Sequence, residues 1–229
     1  LILTCIEIPR RFLMNMIVTA IQEGGIWMAP IIITLVVAFA IAFERLFALA
    51  RYNMDGSALM GELQKSILGN QIDSASKVCQ VQIEKGKALP NVLYAGLKSA
   101  NRTEKEIEKE LERATLEVFP KLNVRTPFLP MLANIATLSG LLGTIVGLIQ
   151  AFDAVATAPA DQKQTLLAKG ISVAMYTTAG GLVVAIPVLV MNSIVVSITT
   201  KIMDDIDLYA AQALQLLRAR KRNLKESAK

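Results

Sequence analysis

Three stretches without a single Asp, Glu, Lys or Arg constrain this chain more than any other feature. They are Ile26 to Phe43 (18 residues), Thr126 to Phe152 (27 residues) and Gly170 to Thr200 (31 residues). A helix needs about 20 apolar residues to cross the hydrocarbon layer of a bilayer. Gly24 and Gly25 extend the first run towards that length, and the other two exceed it, so they must tilt or project beyond the bilayer. A soluble domain would spread its apolar residues with the period of helix or strand, whereas here 53% hydrophobic residues are concentrated in blocks. The expected fold class is an all-α integral membrane protein with three transmembrane helices.

The same composition removes several function classes. Histidine is absent, and with it the commonest general base, the commonest metal ligand and the simplest switch near neutral pH. Cys5 and Cys79 stand far apart with no partner motif, so neither a metal site nor a disulfide framework is expected. There is no glycine-rich phosphate loop and no nucleophile elbow. No catalytic residue, metal or cofactor is therefore assigned, and the chain is read as a non-enzyme.

Residues 1–15 are set aside. The sequence opens "LILTCIEIPRRFLMNMIV", and the expectation is that the native start lies at Met14 or Met16, with a short basic leader as the alternative. Basic residues near membrane segments are retained on the cytoplasmic side. Arg51 to Arg125 holds twelve Lys or Arg and the tail from Lys201 holds seven, while the connection between the second and third runs has only Lys163 and Lys169. The expected organisation follows. Residues 16–50 carry an N-terminal segment and the first span, with the N-terminus periplasmic. Residues 51–125 form a cytoplasmic domain and 126–154 the second span. Residues 155–168 make a periplasmic loop, 169–200 the third span and 201–229 a cytoplasmic basic tail. Retention charge explains the net +5. Nucleic-acid binding would need an accompanying aromatic platform that the sequence does not show.

The cytoplasmic segment is predicted to be helical. In "NRTEKEIEKELERATLEVF", Ile107, Leu111, Ala114 and Val118 share one helix face. Thr103 and Glu106 have capping-box spacing. The Glu and Lys between them read as a solvated face or as a docking surface for another chain. "LGNQID" reads as a turn, and Pro90 as a helix start or a break.

Glycine, alanine and threonine recur through the second and third runs. Ala133, Ala136, Gly140, Gly143, Thr144, Gly147 and Ala151 lie on one face of the second; Gly170, Ala174, Thr177 or Thr178, Gly181 and Ala185 form a matching stripe on the third. Lipid tails are as apolar as leucine, so helices associate in a bilayer through close packing, which small residues permit. A threonine can bond the carbonyl four residues back and be silent. Alternatively, hydroxyls midway along both faces can line a narrow polar path without an intramembrane charge. Threonine does not titrate in a useful range. If protons move here, another chain must supply the titrating group, and the small-residue face becomes a seat for that foreign helix.

"GLLGTIVGLIQAF", followed after a polar loop by "GISVAMYTTAGGLVVAIPVLV", resembles the ExbB/TolQ/MotA family of ion-driven membrane proteins. "GGIWMAP" and "FERLFAL" around the first span, with the large insertion before the second, look like the three-span ExbB/TolQ branch. The resemblance implies a homopentameric bundle enclosing two helices of an ExbD/TolR/MotB-like partner, whose single span bears an aspartate. It implies an inner-membrane stator that couples ion flow to mechanical work. Carried over by position, Thr144 and Thr178 line the ion path, with Thr177 beside them. Ala136, Gly140, Gly143, Gly147, Ala174, Gly181, Ala185 and Pro187 provide helix packing and the partner seat. Pro187 would bend or loosen the third span, because proline lacks a backbone donor. One departure is Val173, where many ExbB-like chains have glutamate. The adjacent Thr177 and Thr178 also occur in sodium-driven relatives, although protons are favoured. Two competing readings are a packing scaffold with no ion path and a channel that needs no partner.

Overall fold

A computed structural model describes residues 25–227. The leader expected over residues 1–15, with Cys5, lies outside the described residues. A short 3-10 turn at Gly25–Trp27 precedes seven helices. These are α1 (Met28–Tyr52), α2 (Gly56–Leu68), α3 (Ile72–Glu84), α4 (Leu89–Lys98), α5 (Glu104–Asn123), α6 (Phe128–Thr157) and α7 (Lys163–Ser227). No strand occurs among the described residues. Three helices are long and apolar enough to cross a membrane, in α1, α6 and α7, and α2 to α5 fill the interval between the first and the second. The protein is a multi-pass membrane protein. An α-helix satisfies every interior backbone group within its own segment, which hydrocarbon demands.

The described residues divide into two compact units, one formed by 25–43 with Pro127–Ser193, the other by Glu44–Thr126 with 194–227. In the first unit, α1 turns Met28, Ile31, Thr34, Ala38 and Ala42 inward at helical spacing. Thr34 is buried without cost because its hydroxyl donates to the Pro30 carbonyl at 2.7 Å. Pro130 stands in the first turn of α6, where a missing N–H deprives the helix of nothing.

In the second unit, α2 packs on α3, α3 on α4 and α4 on α5. Asp55 caps α2 by accepting from the Ser57 amide at 3.0 Å. The turn read from "LGNQID" falls between α2 and α3, with Asn70 at φ +60°. Gly86, at φ +79°, closes the end of α3 in a conformation that other residues adopt only with strain. Pro90 lies in the first turn of α4. On α5 the capping box is formed in both directions: the Glu106 amide bonds the Thr103 hydroxyl, and the Glu106 carboxylate accepts from the Thr103 amide at 2.8 Å. The Thr103 hydroxyl also donates to that carboxylate at 2.6 Å, and this bond first, then the one from the Thr103 amide, holds the Glu106 carboxyl below the usual carboxylate range. Ile107, Leu111, Ala114 and Val118 are all buried, as their spacing requires.

Residues 201–227, within the segment expected as a cytoplasmic basic tail, continue α7 without interruption and bury Ile202, Ile206, Ala213 and Leu217. The connection read as residues 155–168 shrinks to 158–162, because helix extends into it from both sides.

Cys79 is fully buried on α3, and burial pushes its thiol up to about 12. It should therefore resist alkylation at pH 8 in the native protein and react only after denaturation. Mass mapping of the peptide that carries it would check this; modification in the folded state would show that the α2–α5 core opens readily.

Candidate functional site

In α6 the buried positions are Leu129, Ala133, Ala136, Gly140, Gly143, Gly147 and Ala151, the small-residue stripe with Leu129 added and Thr144 left out. In α7 they include Ala174, Thr177, Gly181 and Ala185. The stripes meet each other. A methyl group on Gly181 would stand 2.7 Å from the Ala136 carbonyl oxygen, and one on Gly140 would stand 2.9 Å from the Thr177 carbonyl oxygen. At Gly143 the obstacle would be the Thr177 side chain at 2.9 Å, whereas at Gly147 it would be Ala174 at an ordinary 3.4 Å. The two helices thus approach backbone to backbone around Gly140 and Gly181. That approach is possible only because neither position has a side chain.

Thr144 and Thr178 lie at the edge of this seam, each half-buried. Their hydroxyl oxygens are 2.5 Å apart. Both also reach the Gly140 carbonyl, Thr144 donating at 3.0 Å and Thr178 at 3.3 Å. Each hydroxyl has one proton, so the three oxygens can be ordered in two ways. Either Thr178 donates to Thr144 and Thr144 to the carbonyl, or Thr144 donates to Thr178 and Thr178 to the carbonyl. Reversal needs only hydroxyl rotation, with no movement of heavy atoms. The pair is polar, uncharged and bounded by charge-free helix.

The structure separates Thr177 from this pair. Expected beside Thr178 in the ion path, it is 1% exposed, wedged against Gly143, and its hydroxyl donates to the Ala174 carbonyl at 2.7 Å. Adjacent helix positions differ by about 100° in direction, which turns one threonine into the seam and leaves the other at its margin. Pro187, grouped with the packing residues, instead lies on the exposed side of α7. The helix is continuous through it, and the Val183 carbonyl lacks the amide that any other residue would offer.

Of the residues expected to provide helix packing and the partner seat, Ala136, Gly140, Gly143, Gly147, Ala174, Gly181 and Ala185 are all buried, the four glycines against the neighbouring span of the same chain. What stays open are the flanks, with Leu138, Leu141, Ile145 and Ile149 exposed on α6 and Met175, Leu182, Ile186 and Val190 on α7. Sequence reasoning missed the Gly140 carbonyl as the common acceptor; an oxygen carried by every residue leaves no sequence signal. Among the described residues no group of His, Cys, Asp or Glu is placed to hold a metal.

The sequence model of the MotA/TolQ/ExbB proton channel family matches residues 84–207, which include both threonines. A protein of Vibrio cholerae serotype O1 described as biopolymer transport protein exbB1 is 28% identical over 170 residues, covering 72% of this chain and 73% of its own length. A Synechocystis protein described as ExbB-like 1, also for biopolymer transport, is 26% identical over 185 residues, 80% of this chain and 71% of its own. A Methanothermobacter thermautotrophicus homologue described in the same terms is 25% identical over 188 residues, 81% and 64% respectively.

Proposed function

The chain belongs to the MotA/TolQ/ExbB proton channel family, and we propose that it is the channel-forming subunit of an ion-driven motor in the bacterial inner membrane. The observation that carries this reading is the Thr144–Thr178 pair, two hydroxyls within hydrogen-bond reach in charge-free runs that contain no Asp, Glu, Lys, Arg or His. Such a pair can hand a proton or a hydrated cation along a path but cannot load or release it, because threonine stays neutral. The loading group must therefore come from an aspartate on a single-span partner of the ExbD/TolR/MotB kind. A homopentamer of this chain would surround that partner with five such pairs.

The orientation that fits is N-terminus periplasmic, residues 51–125 cytoplasmic, 155–168 periplasmic and the C-terminus cytoplasmic, since the Lys and Arg then lie inside. Ion passage past the threonines would turn the assembly relative to its partner and perform work on a distant target. The relatives described as biopolymer transport proteins favour energised transport over envelope maintenance or gliding.

The test is reconstitution into liposomes under a proton gradient. Flux is expected only when the partner is present with its aspartate, and an Asp→Asn change in the partner should stop it. Flux through this chain alone would favour an unassisted channel and overturn the reading.

A second reading draws on one specific observation: the Gly140 carbonyl satisfies both hydroxyls inside the chain. On that view the threonines serve packing alone and the protein is a membrane scaffold, and their replacement by valine would be silent.

A further inference from the structure

The inward face of α1 runs Met28, Ile31, Thr34, Ala38, Ala42, Arg45, Leu49, all buried. Every member is apolar or an internally bonded threonine except Arg45, which is 6% exposed. A buried guanidinium has five N–H donors and requires acceptors for them. Arg45 has one: its Nη2 donates to Glu44 Oε1 at 3.1 Å, while Nε and Nη1 are buried without a partner. The other oxygen of the same carboxylate accepts from Arg125 Nη1 at 2.5 Å. Beside Arg125, the Thr126 hydroxyl is also buried and unpaired. Arg125 itself is held in the left-handed region, φ +60°, which is uncommon for a residue with a side chain.

Two guanidinium groups therefore share one carboxylate and leave a surplus positive charge with unused donors. The position is specific. Glu44 follows the first charge-free run directly, and Arg125 immediately precedes the second, so the cluster stands at a boundary between hydrocarbon and water. Phe47, one turn beyond Glu44, is exposed on the same helix. A phosphodiester headgroup offers two non-bridging oxygens and one negative charge, and free phosphate offers more oxygens and greater charge, so either can bridge the paired guanidinium forks in place of the carboxylate. Basic clusters at such boundaries attract anionic headgroups.

We infer that Arg45, Arg125 and Thr126 form a binding site for a phosphate oxyanion at the membrane boundary, with Glu44 as the internal ligand that it displaces. The ligand chemistry is that of an anionic phospholipid headgroup or of free phosphate. The inference requires only that residues 44 and 125 flank the spans, and it is independent of the ion path.

The test uses the full-length assembly in nanodiscs of equimolar phosphatidylglycerol and phosphatidylcholine, with retained lipid measured by mass spectrometry after detergent extraction. The wild type should be enriched in phosphatidylglycerol, and Arg125→Gln should reduce that enrichment about fivefold. Glu44→Gln should raise it, whereas Glu62→Gln, the same charge change at an exposed site on α2, should not. Arg45→Gln should also lose the enrichment; because it alters a buried position, the exposed Arg125 variant keeps the test independent of folding. Displacement of the lipid by millimolar inorganic phosphate would identify free phosphate as the source, and retention would identify the headgroup. Equal lipid ratios in wild type, Arg45→Gln and Arg125→Gln would overturn the site. So would dissociation of the assembly by Arg45→Gln with its lipid ratio unchanged, since Arg45 would then be serving a neighbouring copy. Ion flux is not the readout, so failure here leaves the proposed function standing.

Discussion

Thr144→Val and Thr178→Val are each expected to lower partner-dependent ion flux about tenfold, the rate equivalent of one lost hydrogen bond worth ~1.4 kcal/mol. Valine keeps the branched shape and removes only the hydroxyl. The fold should tolerate the change. Gly140 retains its helical bond to the Thr144 amide, and whichever threonine remains still has the Gly140 carbonyl within reach at 3.0 or 3.3 Å. The two-way ordering of hydroxyls needs both members, so the double variant should be little worse than either single one. Thr177→Val offers the contrast. Its hydroxyl is spent on the Ala174 carbonyl inside the seam, so flux should stay near wild type. Proton flux in liposomes containing the partner, with assembly monitored in parallel, decides the matter. Full flux in both single variants would show that the two hydroxyls do not line the ion path, whereas no partner-dependent flux even in the wild type would support the scaffold reading.

The second large effect concerns the α6–α7 seam. Gly181→Leu and Gly140→Leu should each destabilise the folded chain by ~3 kcal/mol or more, at or beyond the upper end of ordinary overpacking. The obstacles are the Ala136 carbonyl at 2.7 Å and the Thr177 carbonyl at 2.9 Å, both backbone atoms that no rotamer change can move aside. The helices would have to separate, and the dispersion contacts that hold them in lipid would go with the separation. Gly147→Ala is the control, since its methyl would meet Ala174 at 3.4 Å, an ordinary contact. Thermal melts of the detergent-solubilised protein, read by helical content and monodispersity, would compare the three. A Gly181→Leu protein as stable as the wild type would mean that the seam is looser than these distances.

The capping box at Thr103 and Glu106 and the buried face Ile107–Leu111–Ala114–Val118 were legible because they depend on residues within one or two helical turns. The stripes on α6 and α7 were legible for the same reason, each being periodic in its own helix. Thr177 and Thr178 were not separable in advance. Two neighbours point about 100° apart, and which one enters the seam depends on how α7 is rotated against α6. Pro187, expected to bend or loosen the third span, has a direction on α7 that sets it outside the α6–α7 seam, which its chemistry alone does not give.

By itself the sequence determined that this chain spans a membrane three times in helices, that its three charge-free runs carry no Asp, Glu, Lys, Arg or His, and that small residues and hydroxyls share faces in two of them. Those properties are local: charge-free length and helical period do not depend on what lies alongside. Only the tertiary structure decided that the stripes pack against one another, that Thr144 and Thr178 meet over the Gly140 carbonyl, and that Arg45 is buried beside a shared carboxylate. Each of these joins residues far apart in the chain, and such pairing is set by the rotation and register of whole helices, which close packing selects and no single segment encodes.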